Sequence, residues 1–370
     1  LSATFWATTP AGASTVGTDI RVTTDDGSPV ELPRELVFAS STAETGELHF
    51  KANSISSTTD TVFRIYYNGT TTGDYLIDAT YGAENVWSNG YVGVWHMDQD
   101  PSGTAPQVTD STSYGADSTS EGSMTGSDLV SAQIGSGFDY DGSDDGVVTP
   151  SASQYTGLTS YTISTWLKPT TESAMAVMGD NLDWTGGLPT VYLRSATNQD
   201  FACGHDSSNF RAGEMGVDTP EANNWMFYRC TWDGSTIRQY VNASELGAGF
   251  AETTSPTASA RAFNIGSVNN ITPATISGQL DEVRLSSTAR STAWQSAEYT
   301  NQSTTTDFYT AAVEAGPSTI TWDGGGADND WETALNWSGD AVPTDTDDVV
   351  IDTAVFVELN GSTTINSLQL

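Results

Sequence analysis

Residues 161–169 read YTISTWLKP, a stretch in which aromatic and aliphatic side chains alternate with Ser and Thr. Successive side chains of a β-strand point to opposite faces, so this period of two predicts a strand. The same alternation recurs in TVFRIYY, YVGVWHM, WMFYRCTW and QLDEVRL (residues 61–67, 91–97, 225–232 and 279–285). Such runs, bounded by Gly, Asp, Asn and Ser, predict an all-β protein built from sandwiches or barrels.

The 370 residues exceed the usual domain size of about 100 to 200 residues, so we expect several domains. We predict a β-sandwich module over residues 1–88 and a jelly roll over 89–313. A Trp-rich β segment over 318–370 stops within an apparent strand and is expected to be incomplete. Only residues 289–299, ARSTAWQSAEY, predict a helix, which we expect to pack at the end of a sandwich.

The composition excludes several classes of protein. A formal charge of -35, from 47 acidic and 12 basic residues, argues against a nucleic-acid partner because phosphates require the opposite sign. The 11 Trp, 14 Tyr and 12 Phe supply apolar area that a disordered chain lacks. No uninterrupted apolar stretch of about 18 residues occurs, and we expect no membrane span. The acidic surface is typical either of a solvated face or of calcium-rich surroundings.

Six blocks of the middle region, in order along the chain, resemble the LamG/concanavalin A-like jelly rolls of bacterial surface proteins. They are GVWHMDQ, DSTSYGADS, IGSGFDYDGSDDGVV, YTISTWLKP, NNWMFYRCTWDGSTIRQYVNAS and LDEVRLSSTARSTAW (residues 93–99, 110–118, 134–148, 161–169, 223–244 and 280–294). The resemblance implies a two-sheet jelly roll.

The flanking regions carry two further resemblances. Residues 19–36, 45–70 and 81–97 resemble the β-sandwich domain of unknown function that precedes such jelly rolls in bacterial and archaeal envelope proteins. Residues 319–370, with their Trp-rich TWDGGGADNDWETALNW, are similar to segments that lead into the β-solenoid regions of adhesins. Neither resemblance implies a known activity.

The fold that the middle region resembles includes retaining β-glucanases. Those enzymes carry Glu-x-Asp-x-x-Glu on one strand, which places two carboxylates on one face. The comparable strand here contains Asp281-Glu282 without that triad, and adjacent residues are expected to point to opposite faces. His49, His96 and His205 are the three histidines, and no Gly-x-Ser-x-Gly elbow accompanies them. We expect His96 to be structural and the chain to be no enzyme.

Calcium is the expected cofactor, in a structural role. In the family that the middle region resembles, an ion pins the loop after the first strand to the last strand. Asp98, Asp110, Asp117 and Asp281 occupy the corresponding places. Carboxylate oxygens suit this ion, although Asx turns are the alternative role for each residue. Asp139, Asp141, Asp144 and Asp145 lack the spacing of an EF-hand, and we predict a hairpin turn there.

Aromatic side chains in loops are the candidate sugar-binding residues, because they have less core to fill. They are Trp184, Tyr114 and Phe210. In contrast, the tryptophans of alternating strands are expected in the core. They are Trp95, Trp166, Trp225 and Trp232.

Cys203 and Cys230 lie in two strand-like segments, and pairing of neighbouring antiparallel strands is one way to bring their sulfurs together. A disulfide and two small buried thiols are both open readings. No second Cys stands at metal-ligand spacing, so we expect no zinc site built on cysteine.

The pattern as a whole favours a non-catalytic, secreted structural or adhesive segment of the cell surface, one that assembles with itself or with other surface proteins into a filament or matrix. A calcium-dependent carbohydrate-binding module with a polysaccharide partner is the first alternative. A glycoside hydrolase is the second.

Overall fold

The computed structural model describes most of the chain. The described residues are 17–25, 27–40, 43, 45–67, 73–171, 175–179, 187, 189–193, 201–205, 221–256, 262–268, 275–312, 318–352 and 355–369. Those up to Thr310 belong to one compact unit, and those from Ala311 onward belong to a second.

Strands make up most of the first unit. In chain order they are β1 (Arg21–Thr24), β2 (Arg34–Ser40), β3 (Thr45–Phe50), β4 (Phe63–Tyr66), β5 (Tyr91–Trp95), β6 (Thr119–Glu121), β7 (Leu129–Ser131), β8 (Ser136–Asp141), β9 (Gly146–Val148), β10 (Tyr161–Pro169), β11 (Met175–Gly179), β12 (Thr190–Leu193), β13 (Phe201–Gly204), β14 (Met226–Trp232), β15 (Thr236–Val241), β16 (Ser244–Ala251), β17 (Asn264–Ile265) and β18 (Ser277–Ser286). The helices are α1 (Ala83–Val86), α2 (Thr292–Ser303) and α3 (Thr305–Phe308), with short 3-10 turns at Gly126–Asp128 and Ser153–Tyr155.

Two antiparallel sheets form the jelly roll. The larger has the order β16-β15-β14-β10-β18-β8-β7. The long strand β18 pairs with β8 through its first half and with β5 through its second half. The smaller has the order β13-β12-β11-β17-β9-β6. The predicted all-β, two-sheet jelly roll is confirmed.

An apolar core fills the space between the two sheets. Trp95 and Trp232 lie fully buried in it, and the Trp95 ring stacks on Phe263 at 6.0 Å between centroids. Each such side chain stabilises the fold by about 1.5–3 kcal/mol. Trp166 is also buried but lies against α2, where its indole donates to Gln302 Oε1 at 2.6 Å. Trp225 is half-buried and precedes β14, so the prediction of a core position is wrong for it.

The helix α2 covers the outer face of the larger sheet. Its N-cap is Ser291, whose hydroxyl accepts a hydrogen bond from the Trp294 amide. Gln295 is fully buried and accepts from Arg229 of β14 at 3.0 Å. The helix predicted over 289–299 is thus present, displaced toward the C-terminus.

The first module lies at the start of the first unit and consists of two antiparallel pairs, β1-β4 and β2-β3, with α1 after them. Ile20, Val22 and Leu32 of this module are buried. Arg34 is buried too; it donates to the Ile20 carbonyl and pairs with Asp74 at 2.6 Å. This module carries Glu35 on β2 and Glu47 on β3, which reach the jelly roll.

The second unit contains β19 (Thr319–Thr321), β20 (Asp348–Val350) and β21 (Ser367–Gln369), with a 3-10 turn at Ala334–Asn336. These strands pair in parallel, in chain order. Trp322, Trp331 and Trp337 form its apolar cluster together with Val349. Within the described ranges of the whole chain, no helix has the length and apolar character to cross a membrane.

Candidate functional site

The candidate site lies where the first module meets the jelly roll. We call it the junction cluster; its residues are Glu35, Glu47, His49, His96 and Glu282. The first module supplies Glu35 from β2 and the pair Glu47 and His49 from β3. His96 follows β5 and Glu282 belongs to β18, so the jelly roll supplies the other two.

Short polar contacts connect the members of the junction cluster. Glu47 Oε1 lies 2.6 Å from His49 Nε2 and 3.5 Å from His96 Nδ1. Glu282 Oε1 lies 2.5 Å from His96 Nδ1, and Glu35 Oε2 lies 3.3 Å from His96 Nε2. The two imidazole rings stack with centroids 5.1 Å apart and planes at 23°. Both nitrogens of His96 therefore face carboxylates from different modules.

Arg284 pairs with two carboxylates, one of which belongs to the junction cluster. Its guanidinium pairs with the second carboxylate oxygen of Glu282 and with Glu298 of α2, the latter at 2.8 Å. It also lies over the Trp87 ring, 4.8 Å from the centroid. Since Arg284 and Glu282 are both buried, neither charge has water as an alternative partner.

Charge pairing outweighs burial in the protonation of the cluster. Burial alone would raise the pKa of Glu35, but the nearby His96 and His49 lower that pKa to about 2. The pKa of Glu47 is lowered below its ordinary value by the same two imidazoles, again against the effect of burial. Burial would lower the pKa of His96, yet Glu282 and Glu35 raise it well above 6.5. The carboxylates around His96 thus favour the protonated form of its buried imidazole.

A β-bulge in β18 brings Asp281 and Glu282 to the same face, so the expectation that they point to opposite faces is wrong. Glu282 has φ 53°, and the pairing with β10 shifts register there. Leu280 and Val283 both enter the core, which leaves the two acids between them outside it. Asp281 lies beside Gly137 of β8 and accepts from the Ile134 amide at 2.8 Å.

The four residues predicted to hold calcium do not come together as one carboxylate group. No three of Asp98, Asp110, Asp117 and Asp281, all of them described, place ligand oxygens within 4.8 Å of one another. Calcium binding at these residues stays a prediction.

Two of the four use their oxygens in a turn. Asp110 accepts from the amides of Val94, Thr112 and Ala116 and from the Thr112 hydroxyl. Asp117 accepts from the Asp110 amide at 2.9 Å. These hydrogen bonds are those of the Asx turn that was the alternative role for each residue.

Asp98 and Asp281 differ, because one buried oxygen of each has no hydrogen-bond partner. Burial raises the pKa of Asp98 to about 6, and Glu47 and Glu282 add to the shift. Burial also raises the pKa of Asp281 well above its ordinary value, with Glu282 contributing next. Buried carboxyl oxygens without a hydrogen-bond partner are the kind of ligand atom that a hard cation binds.

The acidic turn after β8 is a turn, but not a hairpin. Asp141 accepts from the amides of Ser143 and Asp144, and Gly142 has φ 77°. The strands on either side belong to different sheets, since β8 pairs with β18 and β7, and β9 with β17 and β6. The hairpin prediction is therefore wrong: the turn crosses from one sheet to the other. Asp139 belongs to β8 and is not part of the turn.

Of the three aromatic residues predicted to bind sugar, one can be described. Tyr114 lies in the loop organised by Asp110 and is 54% exposed. Trp184 and Phe210 fall outside the described residues.

Cys203 and Cys230 form a disulfide, with their Cα atoms 6.4 Å apart. Cys203 belongs to β13 of the smaller sheet and Cys230 to β14 of the larger one. The bond thus joins the two layers of the jelly roll, so neighbouring strands, the one arrangement considered from the sequence, are not what brings the sulfurs together.

Sequence reasoning did not identify the junction cluster. Its members lie up to 247 positions apart in the chain (Glu35 to Glu282), so no local motif contains them. One signal was available: Glu47-Leu48-His49 places an acid and an imidazole on the same face of β3, because strand side chains repeat every second residue.

Residues 141–294 match the family model of the concanavalin A-like lectin/glucanase superfamily. The central domain of this chain is therefore a concanavalin A-like jelly roll, as the resemblance implied. No match to the chain is found among curated proteins.

Several solved structures are partly similar. The receptor binding domain of botulinum neurotoxin mosaic serotype C/D has a TM-score of 0.43 and 13% identity, covering 58% of this chain and 52% of that one. The botulinum neurotoxin serotype D ligand binding domain in complex with N-acetylneuraminic acid has a TM-score of 0.43 and 13% identity, with 60% and 53% covered. Trypanosoma rangeli sialidase in complex with sialic acid has a TM-score of 0.42 and 15% identity, with 58% and 33% covered. The chain thus spans about half or less of these proteins, and likenesses of this degree carry no argument about its ligand.

Proposed function

We propose that this chain is a non-catalytic, extracellular structural and adhesive segment whose jelly roll holds polysaccharide. The observation that carries the proposal is the junction cluster. The acids on the outer face of the lectin-like sheet are enclosed beneath the first module and paired with His96 and Arg284. They serve to join two modules.

A non-catalytic role is supported by the burial of these acids. A retaining glycosidase needs two carboxyl groups that both reach the glycosidic bond. Asp281 and Glu282 share a face but are fully buried, and Glu282 is held by His96 and Arg284. A sugar could reach them only if the first module left the jelly roll.

An extracellular location is supported by the bond between Cys203 and Cys230, since disulfides form and persist in oxidising surroundings. The charge of -35 keeps such a protein soluble and repels other polyanions, in agreement with an acidic surface layer.

A structural role is supported by the second unit. Its three short strands pair in parallel and in chain order, which is the arrangement of successive rungs in a β-solenoid. Rungs stack through their strand edges, and among the described residues β21 lies at the side of this sheet with exposed side chains. Another copy of the chain can add strands there.

We therefore expect the purified chain to form particles much heavier than its 39.1 kDa, with a mean mass that rises with protein concentration. Light scattering after size-exclusion chromatography measures this mass. Val349→Asp, which places a charge in the apolar cluster of the second unit, should return the particles to monomers. A single species of monomer mass at every concentration would rule out self-assembly.

Polysaccharide binding is supported by the superfamily to which the jelly roll belongs, which contains lectins, and by the exposed ring of Tyr114. We expect the protein to bind at least one polysaccharide on a glycan array and Tyr114→Ala to bind it about 10-fold more weakly, a loss of about 1.4 kcal/mol.

Tyr309→Ala is the matched control, because the Tyr309 side chain is 55% exposed, like that of Tyr114, and should contribute nothing to polysaccharide binding. Repeating the array with a chelator tests the calcium prediction. Equal binding by the two variants would show that Tyr114 is not in the sugar site. Turnover of a β-glucan that one Asp or Glu substitution abolishes would replace the proposal with a hydrolase.

A further inference from the structure

We propose that the junction cluster is a binding site for a divalent transition-metal ion of the zinc type, which clamps the first module to the jelly roll. Glu47 and His49 would come from the first module and His96 and Glu282 from the jelly roll. Neither half offers the complete set alone.

The four ligand atoms are close enough to share one ion. One ligand atom from each of the four residues lies within 4.8 Å of all the others. Tetrahedral zinc holds nitrogen and oxygen ligands at about 2.0–2.2 Å, which puts neighbouring ligand atoms about 3.3 Å apart. Glu47 Oε1 and His96 Nδ1 are 3.5 Å apart, and the shorter contacts of 2.6 and 2.5 Å need to open by under 1 Å.

Groups around the four residues are arranged as outer partners of a metal site. The nitrogen of His96 that faces away from Glu282 points to Glu35, an imidazole-carboxylate pair of the kind that orients metal-bound histidines. Glu35 is itself fixed by the Trp87 indole at 2.5 Å and the Ser111 hydroxyl at 2.6 Å. Arg284 holds the second oxygen of Glu282. The candidate ligands are therefore oriented before any ion binds.

Acids outnumber bases around His96. Three carboxylates, those of Glu35, Glu47 and Glu282, lie within 3.5 Å of a His96 nitrogen, whereas one base, the His49 imidazole, stacks on the ring at 5.1 Å. Asp98 and Asp281 each retain a buried oxygen with no hydrogen-bond partner. A buried polar oxygen without a partner is costly, and a cation close by would offset that cost.

The ligand types select the class of metal. Two imidazole nitrogens with two carboxylate oxygens suit zinc and its neighbours, whereas calcium and magnesium prefer oxygen alone. The proposed site is therefore distinct in chemistry and in residues from the predicted calcium set, and it does not depend on polysaccharide binding.

Calorimetric titration of the full chain with zinc tests the proposal, carried out in excess calcium so that all-carboxylate sites are filled. We expect one zinc per chain, a higher melting temperature with zinc, and the visible absorption of tetrahedral cobalt when cobalt replaces it. His49→Gln should abolish the saturable site. Glu35→Gln, which keeps an acceptor but removes the charge, should weaken zinc binding about 10- to 100-fold.

The double variant Asp141→Asn/Asp144→Asn is the control, since it removes two acids from an exposed cluster that contains no imidazole. It should bind zinc like the wild type. Circular dichroism establishes that each variant is folded, and His49 is suited to substitution because its side chain keeps 19% exposure. A wild-type chain that binds no stoichiometric zinc, or a folded His49→Gln chain that binds it unchanged, would overturn the proposal.

Discussion

Replacing Arg284 with methionine is expected to lower the free energy of unfolding by about 3–5 kcal/mol. The substitution keeps most of the side-chain volume but removes the cation between Glu282 and Glu298. Glu282 is fully buried and the Glu298 side chain is only 9% exposed, so the negative charge that loses Arg284 has little access to water. The contact of the guanidinium with the Trp87 ring is lost as well. Urea unfolding followed by tryptophan fluorescence measures the change.

Arg238→Met is the matched control on the same sheet. Arg238 pairs with Glu245 at 2.6 Å, but the two side chains are 40% and 30% exposed, so solvent screens the pair. We expect this variant to lose less than about 1 kcal/mol. Equal losses in the two variants would show that the junction cluster contributes no more to stability than a surface ion pair. The proposal that the cluster joins the two modules would then be wrong.

Alternation of side chains was sufficient to predict the architecture because sheet faces are specified residue by residue. Residues 161–169 form β10, and each of the other alternating runs contains a strand. Which strands become neighbours is set by contacts far apart in sequence. For this reason the turn at Asp141 was mistaken for a hairpin, and the sequence left open whether Cys203 and Cys230 form a disulfide.

The junction cluster could not be predicted for two physical reasons. A bulge at Glu282, where φ is 53°, breaks the period of two in β18. Because of this break Asp281 and Glu282 share a face, which strict alternation does not predict. The other members of the cluster lie on β2 and β3 of the first module. The contact between that module and the jelly roll produces no repeating pattern in the sequence, so it could not be predicted. Trp166 shows the same effect, since α2 covers the face of the sheet on which it lies.

Loss of the bond between Cys203 and Cys230 is expected to lower the free energy of unfolding by about 2–5 kcal/mol. The two residues are separated by 27 positions and lie in opposite sheets of the folded protein. In the unfolded chain the bond limits how far these two segments can move apart, which lowers the conformational entropy of that state. Cys203→Ala/Cys230→Ala removes it with little change in volume. Urea unfolding of the wild type, in the oxidised state and after reduction in denaturant, measures the same quantity without a mutation.

The reduced wild type and the double variant should agree with each other and fall below the oxidised wild type, because both lack the bond while the strands are unchanged. Both cysteines are fully buried, so reductant added to the folded protein should leave the bond intact. Unchanged stability of the double variant would mean that the apolar core alone fixes the two sheets. Rapid reduction of the folded protein would instead show that β13 opens locally from the core, since a thiolate must reach Cys203 or Cys230 to attack.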